Sequence, residues 1–208
     1  ERKCSLGRWY CFRWKPSSPT ERLDAFSSQI KAIGQKLRRY QLLLSIDEVK
    51  TYLPHRAPFL FIDTVLSVTP PSGLELLKEI TPKDLVDTKV IAYFKVRDNL
   101  EILQGHFPGA PILPGVIQVE MIAQASAFVS LASNNLKIDG INAETLLLGA
   151  EAAKFRKPIY PGMTVEIHSR MAKCRGPVAS YAGEIFVEGE KYSEANILAK
   201  LIIHRHLK

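Results

Sequence analysis

From Val116 to Ala132 the chain reads "VIQVEMIAQASAFVSLA", apolar at nearly every turn, with Gln118, Glu120, Gln124, Ser126 and Ser130 as the only breaks. A surface helix keeps one polar face, so a helix apolar nearly all round has to be enclosed. Pro114 suits its opening, because a first turn needs no N–H partner there. The small residues Ala123, Ala125, Ser126 and Ala127 predict a close neighbour. Elsewhere the period is two. Thr164–Arg175 alternates cleanly, with Val165, Ile167, Ser169 and Met171 on one side and Glu166, His168 and Arg170 on the other. Ser180–Val187 and Tyr192–Ile203 read as strands joined by "EGEK" as a hairpin turn. Phe59–Ser67, Leu74–Thr81, Val90–Val96 and Leu146–Phe155 are further strands, rich in β-formers and bounded by turn residues. "PKDLVDTK", between the second and third of these, is a loop or a single helical turn. A short helix leads the domain: Ser45 caps it, Glu48 completes a capping box, and Pro54 ends it.

The pattern predicts an α+β fold in which an antiparallel sheet of about six strands wraps one long central helix. The short links after residue 146 predict that those strands are antiparallel neighbours. The 208 residues suffice for one domain with a real core plus a tail. No apolar run reads as long enough for a membrane span, because Gln, Glu, Lys or Pro interrupts each one. Cys4, Cys11 and Cys174 form no CxxC pair, hence no disulfide framework and no zinc pattern, and a reducing compartment is the simple reading.

Charge separates the chain into two parts. Residues 1–45 carry ten Lys or Arg against three acids, which accounts for the whole net charge of +7. Residues 46–208, the folded domain, balance to zero. The extension is rich in Arg and Ser, poor in acids, and contains "KPSSPT". Organelle transit peptides have this composition, so the expectation is targeting to a plastid-like organelle, an apicoplast or chloroplast. The rivals are a solvated tail with Leu23–Leu44 as its helix, and a basic arm for nucleic acid. No helix-turn-helix pattern or aromatic stacking array supports the last, so no nucleic-acid partner is expected.

Two residues in "GHFPGAPILPGVIQVEMIAQ", Gly105–Gln124, are costly unless they work. Glu120 lies past the first turn of the apolar helix, where capping does not explain it and burial of a carboxylate needs a partner or a task. Gln124, four residues on, can hold its side chain. His106 sits in a loop stiffened by Pro108, Pro111 and Pro114 and opened to close approach by Gly105, Gly109 and Gly115. Imidazole moves protons near neutral pH. Free N–H groups near Gly115, at the helix N-terminus, can polarise a thioester carbonyl and stabilise an enolate. A base, an acid and a carbonyl-binding N–H abstract a proton α to a carbonyl, and with a β-hydroxyl present the outcome is loss of water. No GxGxxG, Walker loop or HExxH is present, and this chemistry requires no cofactor and no metal.

Three ordered blocks carry a resemblance: "LPHRAPFLFIDTV" (53–65), "GHFPGAPILPGVIQVEMIAQ" (105–124) and "KFRKPIYPGMTV" (154–165). They closely resemble the β-hydroxyacyl-acyl-carrier-protein dehydratases of type II fatty acid synthesis, the FabZ kind, over about Ile46–Ile203. The resemblance implies a hot-dog fold and a homodimer whose two sheets join, often assembled into a trimer of dimers. It implies acyl carrier protein as the partner presenting the substrate. It matches the family's catalytic pair to His106 and Glu120, completed across the dimer, the carbonyl-contacting N–H to Gly115, and the carbonyl that orients the His to Val116. Glu rather than Asp at position 120 favours the plain dehydratase over the sister family that also isomerises the double bond. His55 and Arg56 fall in the first block with an expected structural role. The segment Pro82–Gln104 is longer than usual in the family, with Tyr93 and Phe94 as candidate gate residues. Arg156, Lys157, Lys173 and Arg175 are a candidate landing patch for an acidic carrier. The expected activity is that of a (3R)-hydroxyacyl-acyl-carrier-protein dehydratase giving the trans-2-enoyl thioester. The alternatives are another hot-dog thioester enzyme, a thioesterase or hydratase, and a non-catalytic acyl-binding regulator.

Overall fold

The computed structural model describes residues 43–77 and 79–205. The basic extension up to residue 42, with Cys4, Cys11 and the expected helix to Leu44, therefore lies almost wholly outside the described residues. Two helices and six strands follow in chain order: α1 (Ile46–Tyr52), β1 (Thr64–Thr69), β2 (Lys89–Lys95), α2 (Gly115–Ala127), β3 (Ile141–Phe155), β4 (Thr164–Arg175), β5 (Val178–Val187) and β6 (Glu190–Arg205). The strands form one antiparallel sheet in the order β1-β2-β4-β5-β6-β3, and α2 packs against five of them in the wrapped arrangement that the resemblance implied.

The enclosure of α2 follows from its side chains. Met121, Ile122, Ala123, Ala125 and Ala127 are all at most 2% exposed, and α2 continues as a 3-10 segment, Phe128–Asn134, whose Phe128, Val129 and Leu131 are fully buried. The combined 20-residue helix Gly115–Asn134 is long and apolar enough to cross a membrane, which corrects the sequence reading that no run reaches that length. Its apolar stretch is 83% buried inside the protein, as befits the core helix of a sheet-wrapped domain. Close approach comes from missing side chains on the sheet: a Cβ at Gly183 would stand 2.2 Å from Cγ2 of Ile122. The hydroxyls of Ser126 and Ser169 meet at 2.7 Å and tie helix to strand without an orphaned polar group.

α1 begins with the capping box. The Ser45 N–H and hydroxyl both donate to Glu48 at 2.7 Å, and these bonds, the backbone one first, hold the Glu48 carboxyl below its usual range. Tyr52 stacks on Phe128 at 5.1 Å and hydrogen bonds the Ser130 hydroxyl, so α1 clamps the far end of the central helix.

The strand register departs from the sequence reading in three places. β1 starts at Thr64 rather than Phe59, because the Phe59 C=O and the Phe61 N–H bond a side chain of α2 instead of a ladder. No strand forms among the described residues of the expected Leu74–Thr81: a 3-10 turn covers Leu74–Leu76, and of its two leucines Leu74 is buried and Leu76 exposed. Pro82–Leu85 is a single 3-10 turn boxed by Thr81 and Asp84. Short links make neighbours of β4, β5 and β6, the last pair joined at Glu188 and Gly189, both with positive φ as a tight hairpin requires. β3 departs from that rule: it pairs with β6 and leaves its other edge open.

Gly183→Ala tests the helix-to-sheet spacing. The added methyl overlaps the buried Ile122 side chain, and overpacking of this kind costs about 1–3 kcal/mol. Urea unfolding should show that loss, and Ile122→Ala in the same chain should recover part of it relative to the sum of the two single changes.

Candidate active site

His106 is held by its own loop. The loop folds back on itself: Ile112 N–H donates to His106 C=O at 2.8 Å, Ala110 N–H to Phe107 C=O at 3.0 Å, and Gly109 turns the chain at φ 78°. Leu113 N–H donates to Ile159 C=O at 2.8 Å and pins the loop to the segment after β3. His106 Nδ1 lies 3.0 Å from the Ile112 C=O. A carbonyl only accepts, so Nδ1 carries the proton and Nε2 is left as the basic lone pair. The orienting carbonyl is therefore Ile112's, not the Val116 carbonyl expected from the resemblance. Val116 lies in the first turn of α2, where its C=O accepts from the N–H four residues on, and its side chain points outward, 75% exposed.

Gly115 and Val116 are the first two residues of α2. Pro114 C=O already receives Ile117 N–H (3.1 Å) and Gln118 N–H (3.2 Å), and the N–H groups of Gly115 and Val116 have no acceptor four residues back within the helix. Gly115 borders a cavity of about 240 Å³ lined also by His106, Ile112, Gln118, Phe155 and Arg156, among others. Gln118 is only 3% exposed. Its Nε2 donates to Leu113 C=O at 3.3 Å, and its Oε1 has no donor among the described residues.

Glu120 stands apart from this cavity. Five residues beyond Gly115, it is turned about 140° round the helix axis and about 7.5 Å along it. Its side chain is 20% exposed, and Oε1 accepts from Gln124 Nε2 at 2.9 Å, the i,i+4 bond that the spacing predicted. Gln124 does more: 1% exposed, it also donates to Phe59 C=O (2.9 Å) and accepts from Phe61 N–H (2.8 Å). Among the described residues, His106 and Glu120 share no contact within one copy of the chain. Each half of the expected acid–base pair is built, and the two face different ways.

With that geometry in hand, the comparisons decide the family. Residues 83–194 match the model of the ApeI-like family, described as ApeI dehydratase. The 3-hydroxyacyl-acyl-carrier-protein dehydratase FabZ of Erythrobacter litoralis is 36% identical over 156 residues, 75% of this chain and 91% of that protein. The FabZ proteins of Myxococcus xanthus (33%, 76% of this chain and 92% of that protein) and Anaeromyxobacter sp. (31%, 76% and 90%) agree. The chain belongs to the FabZ dehydratase family. A solved structure, the dehydratase heterocomplex ApeI:P from Xenorhabdus doucetiae, shares the fold with a TM-score of 0.53 at 21% identity, over 77% of this chain and 91% of that one.

Several residues of this FabZ-family chain do not sit where the sequence placed them. Tyr93 and Phe94 belong to β2, 8% and 1% exposed; Phe94 packs edge-on to Phe61 at 5.7 Å, and neither lines the cavity beside His106. The Tyr93 hydroxyl bonds the buried Glu166, whose other oxygen lies 2.5 Å from His168 Nε2. Arg156 and Lys157 flank the cavity, but each already has an acid, Glu194 at 2.6 Å and Glu190 at 2.5 Å. Arg175, paired with Val178 at the far hairpin, is about 26 Å along β4 from the row that ends at Phe155. The four basic residues therefore form no single patch. Arg56 has the structural role expected of it, donating to Leu53 C=O (2.9 Å) and His55 C=O (2.6 Å). His55 turns instead to Glu120, with Nε2 3.5 Å from Oε1.

Phe155 was missed by the sequence reading as a site residue, although it stands in the third quoted block. Its ring lies over the helix end, where a Cβ at Gly115 would come within 2.8 Å of Cζ. Because this ring is half exposed and free to swing, Gly115→Ala should leave stability within about 1 kcal/mol of the parent. The displaced ring crowds the cavity, and kcat/KM for a hydroxyacyl thioester should fall about 10- to 100-fold. Gln124→Leu is the converse case. It strips the buried Phe61 N–H and the part-buried Phe59 C=O of their partners, the buried one costing about 1–3 kcal/mol, and thermal unfolding should show the loss directly.

Proposed function

We propose that the protein eliminates water from 3-hydroxyacyl thioesters presented by acyl carrier protein, and that the acid–base pair His106 and Glu120 does so without a cofactor. His106 Nε2 removes the proton from the carbon next to the thioester carbonyl. The carbonyl oxygen lies at the N-terminus of α2, where the Gly115 N–H stabilises the developing enolate. The enolate collapses to the trans-2-enoyl thioester as the C3–O bond breaks. Glu120 gives its proton to the departing hydroxyl, which leaves as water. The proton bound by His106 then returns to Glu120 and resets the pair.

The observation that carries this reading is the imidazole with a free Nε2 beside unsatisfied helix-end donors, in the cavity that Phe155 partly covers. The orientation of Glu120 away from that cavity supports a second element of the proposal: the working site is made by two copies of the chain, His106 from one and Glu120 from its partner. β3 supplies a surface for that pairing. It is an open edge strand of 15 residues carrying Leu146, Leu147 and Leu148, each 43–54% exposed, and a long apolar edge invites another strand. A homodimer joined edge to edge along β3 fits; a trimer of such dimers is a further step of the same proposal.

Dehydration of 3-hydroxybutyryl-acyl carrier protein, followed by absorbance of the conjugated product, tests both elements. His106→Ala and Glu120→Gln should each lower kcat by at least about 10²-fold. Mixing the two inactive variants through unfolding and refolding should restore about a quarter of parental activity, because a mixed dimer holds one intact site of two. Full activity of either single variant would remove the acid–base assignment. No recovery on mixing would place both groups in one copy.

A further inference from the structure

The second histidine at this site, His55, has no assigned part in the chemistry. It lies in the loop between α1 and β1, 65 residues from Glu120 in the chain. Its imidazole is 22% exposed, with Nε2 3.5 Å from Glu120 Oε1. Its Nδ1 is buried and has no hydrogen-bond partner among the described residues. Among the described residues, the carboxyl of Glu120 is thus the sole polar group that this ring approaches. A merely structural role for an imidazole in such a place would put its ring nitrogens on backbone groups, as Arg56 next to it does with its guanidinium. Leaving one nitrogen bare in the interior has a cost that an apolar ring would avoid.

The arrangement around Glu120 is lopsided in a useful way. Oε1 accepts from Gln124 Nε2 at 2.9 Å and faces His55 Nε2, whereas Oε2 has no partner among the described residues. With Nδ1 unpartnered, the neutral ring places its proton on Nε2, aimed at the carboxyl. Gln124, from the helix, is hydrogen-bonded to Oε1, and His55, from the α1–β1 loop, stands beside it at 3.5 Å. The free oxygen is left to carry the proton that leaves with the substrate hydroxyl. A carboxyl held at one oxygen only by Gln124 would still rotate about its last bond and present either oxygen. At 3.5 Å the His55 contact is long, and contacts of this kind tighten when a ligand closes the site.

We propose that His55 is a positioning residue for Glu120: it fixes the carboxyl rotamer so that Oε2 faces the leaving hydroxyl. This rests on the acid–base reading of Glu120 given above. The group acts through Glu120 and touches no reacting atom, so its loss should appear in kcat and not in KM.

The test uses the full chain and four proteins, parent, His55→Ala, His55→Gln and Glu120→Gln, assayed on 3-hydroxybutyryl-acyl carrier protein with the melting temperature of each measured alongside. His55→Ala should lower kcat about 10- to 100-fold with KM within twofold of the parent. His55→Gln, which keeps an N–H near the Nε2 position, should recover kcat to within a few-fold of the parent. If His55→Ala keeps parental kcat while Glu120→Gln is inactive, the positioning role is overturned and the acid–base reading stands. If His55→Ala loses activity together with melting temperature, and His55→Gln restores the melting temperature but not kcat, the amide donor has failed to substitute and the proposal is overturned. If Glu120→Gln keeps full activity, the acid–base reading falls and this inference falls with it.

Discussion

A helix with no polar face to give to water has to be wrapped, and nearly everything else in this molecule follows from that. The sheet closes on α2 to within methyl contact at Gly183, and the five polar positions of the helix run then become points where it is fastened to its surroundings. Ser126 meets Ser169 on β4; Ser130 meets Tyr52 on α1; Gln124 ties down the backbone at Phe59 and Phe61; Gln118 reaches Leu113. Glu120 alone has a carboxyl oxygen left over. Enclosure of the sides also bears on where a ligand can be met, and the N-terminal end of α2 opens on a cavity. The Gly/Pro loop that carries His106 delivers the chain to that end.

What the sequence revealed and what it concealed divide along physical lines. β4 was legible to the residue from its alternation, which separates buried Val165, Ile167, Ser169 and Met171 from half-buried His168 and Arg170; Glu166 breaks the pattern, buried where the period put it outside. The start of β1 was not. Phe59 to Asp63 has the composition of a strand, but its backbone groups answer to the Gln124 amide, a tertiary partner 63 residues away. Leu74–Thr81 misled for a related reason: apolar content without alternation, in a stretch where Leu76 and Leu77 face outward. Chain proximity predicted the β4–β5–β6 meander and failed for β3, whose partner is the last strand and not the next.

The candidate site shows the same division. His106 and Glu120 stood out because their chemistry is wrong for their surroundings unless it is used. Gln124 could be inferred because helix spacing is fixed. The Ile112 carbonyl could not, since every residue has a carbonyl and only the loop's closure singles this one out. His55 and Phe155 were hidden by distance along the chain: one approaches Glu120 from the loop after α1, and the other covers Gly115 from the end of an edge strand. Their residue types are compatible with plain packing, and only their placement argues otherwise.

β3 has two tasks that most proteins keep on separate elements. Along its length it is the unpaired margin of the sheet, and its last residue, Phe155, is a wall of the cavity beside His106. Displacement of a strand by one residue reverses which face its side chains point to, and in β3 the irregularity between Glu151 and Lys154 sets the facing of the Phe155 end. In the homodimer proposed along this edge, one strand would shape both the space available to a bound chain and the fit between neighbouring copies. In that dimer, selection for a longer or bulkier substrate through this wall would act on assembly at the same time, and a weakened association would be felt as a reshaped pocket before the subunits came apart.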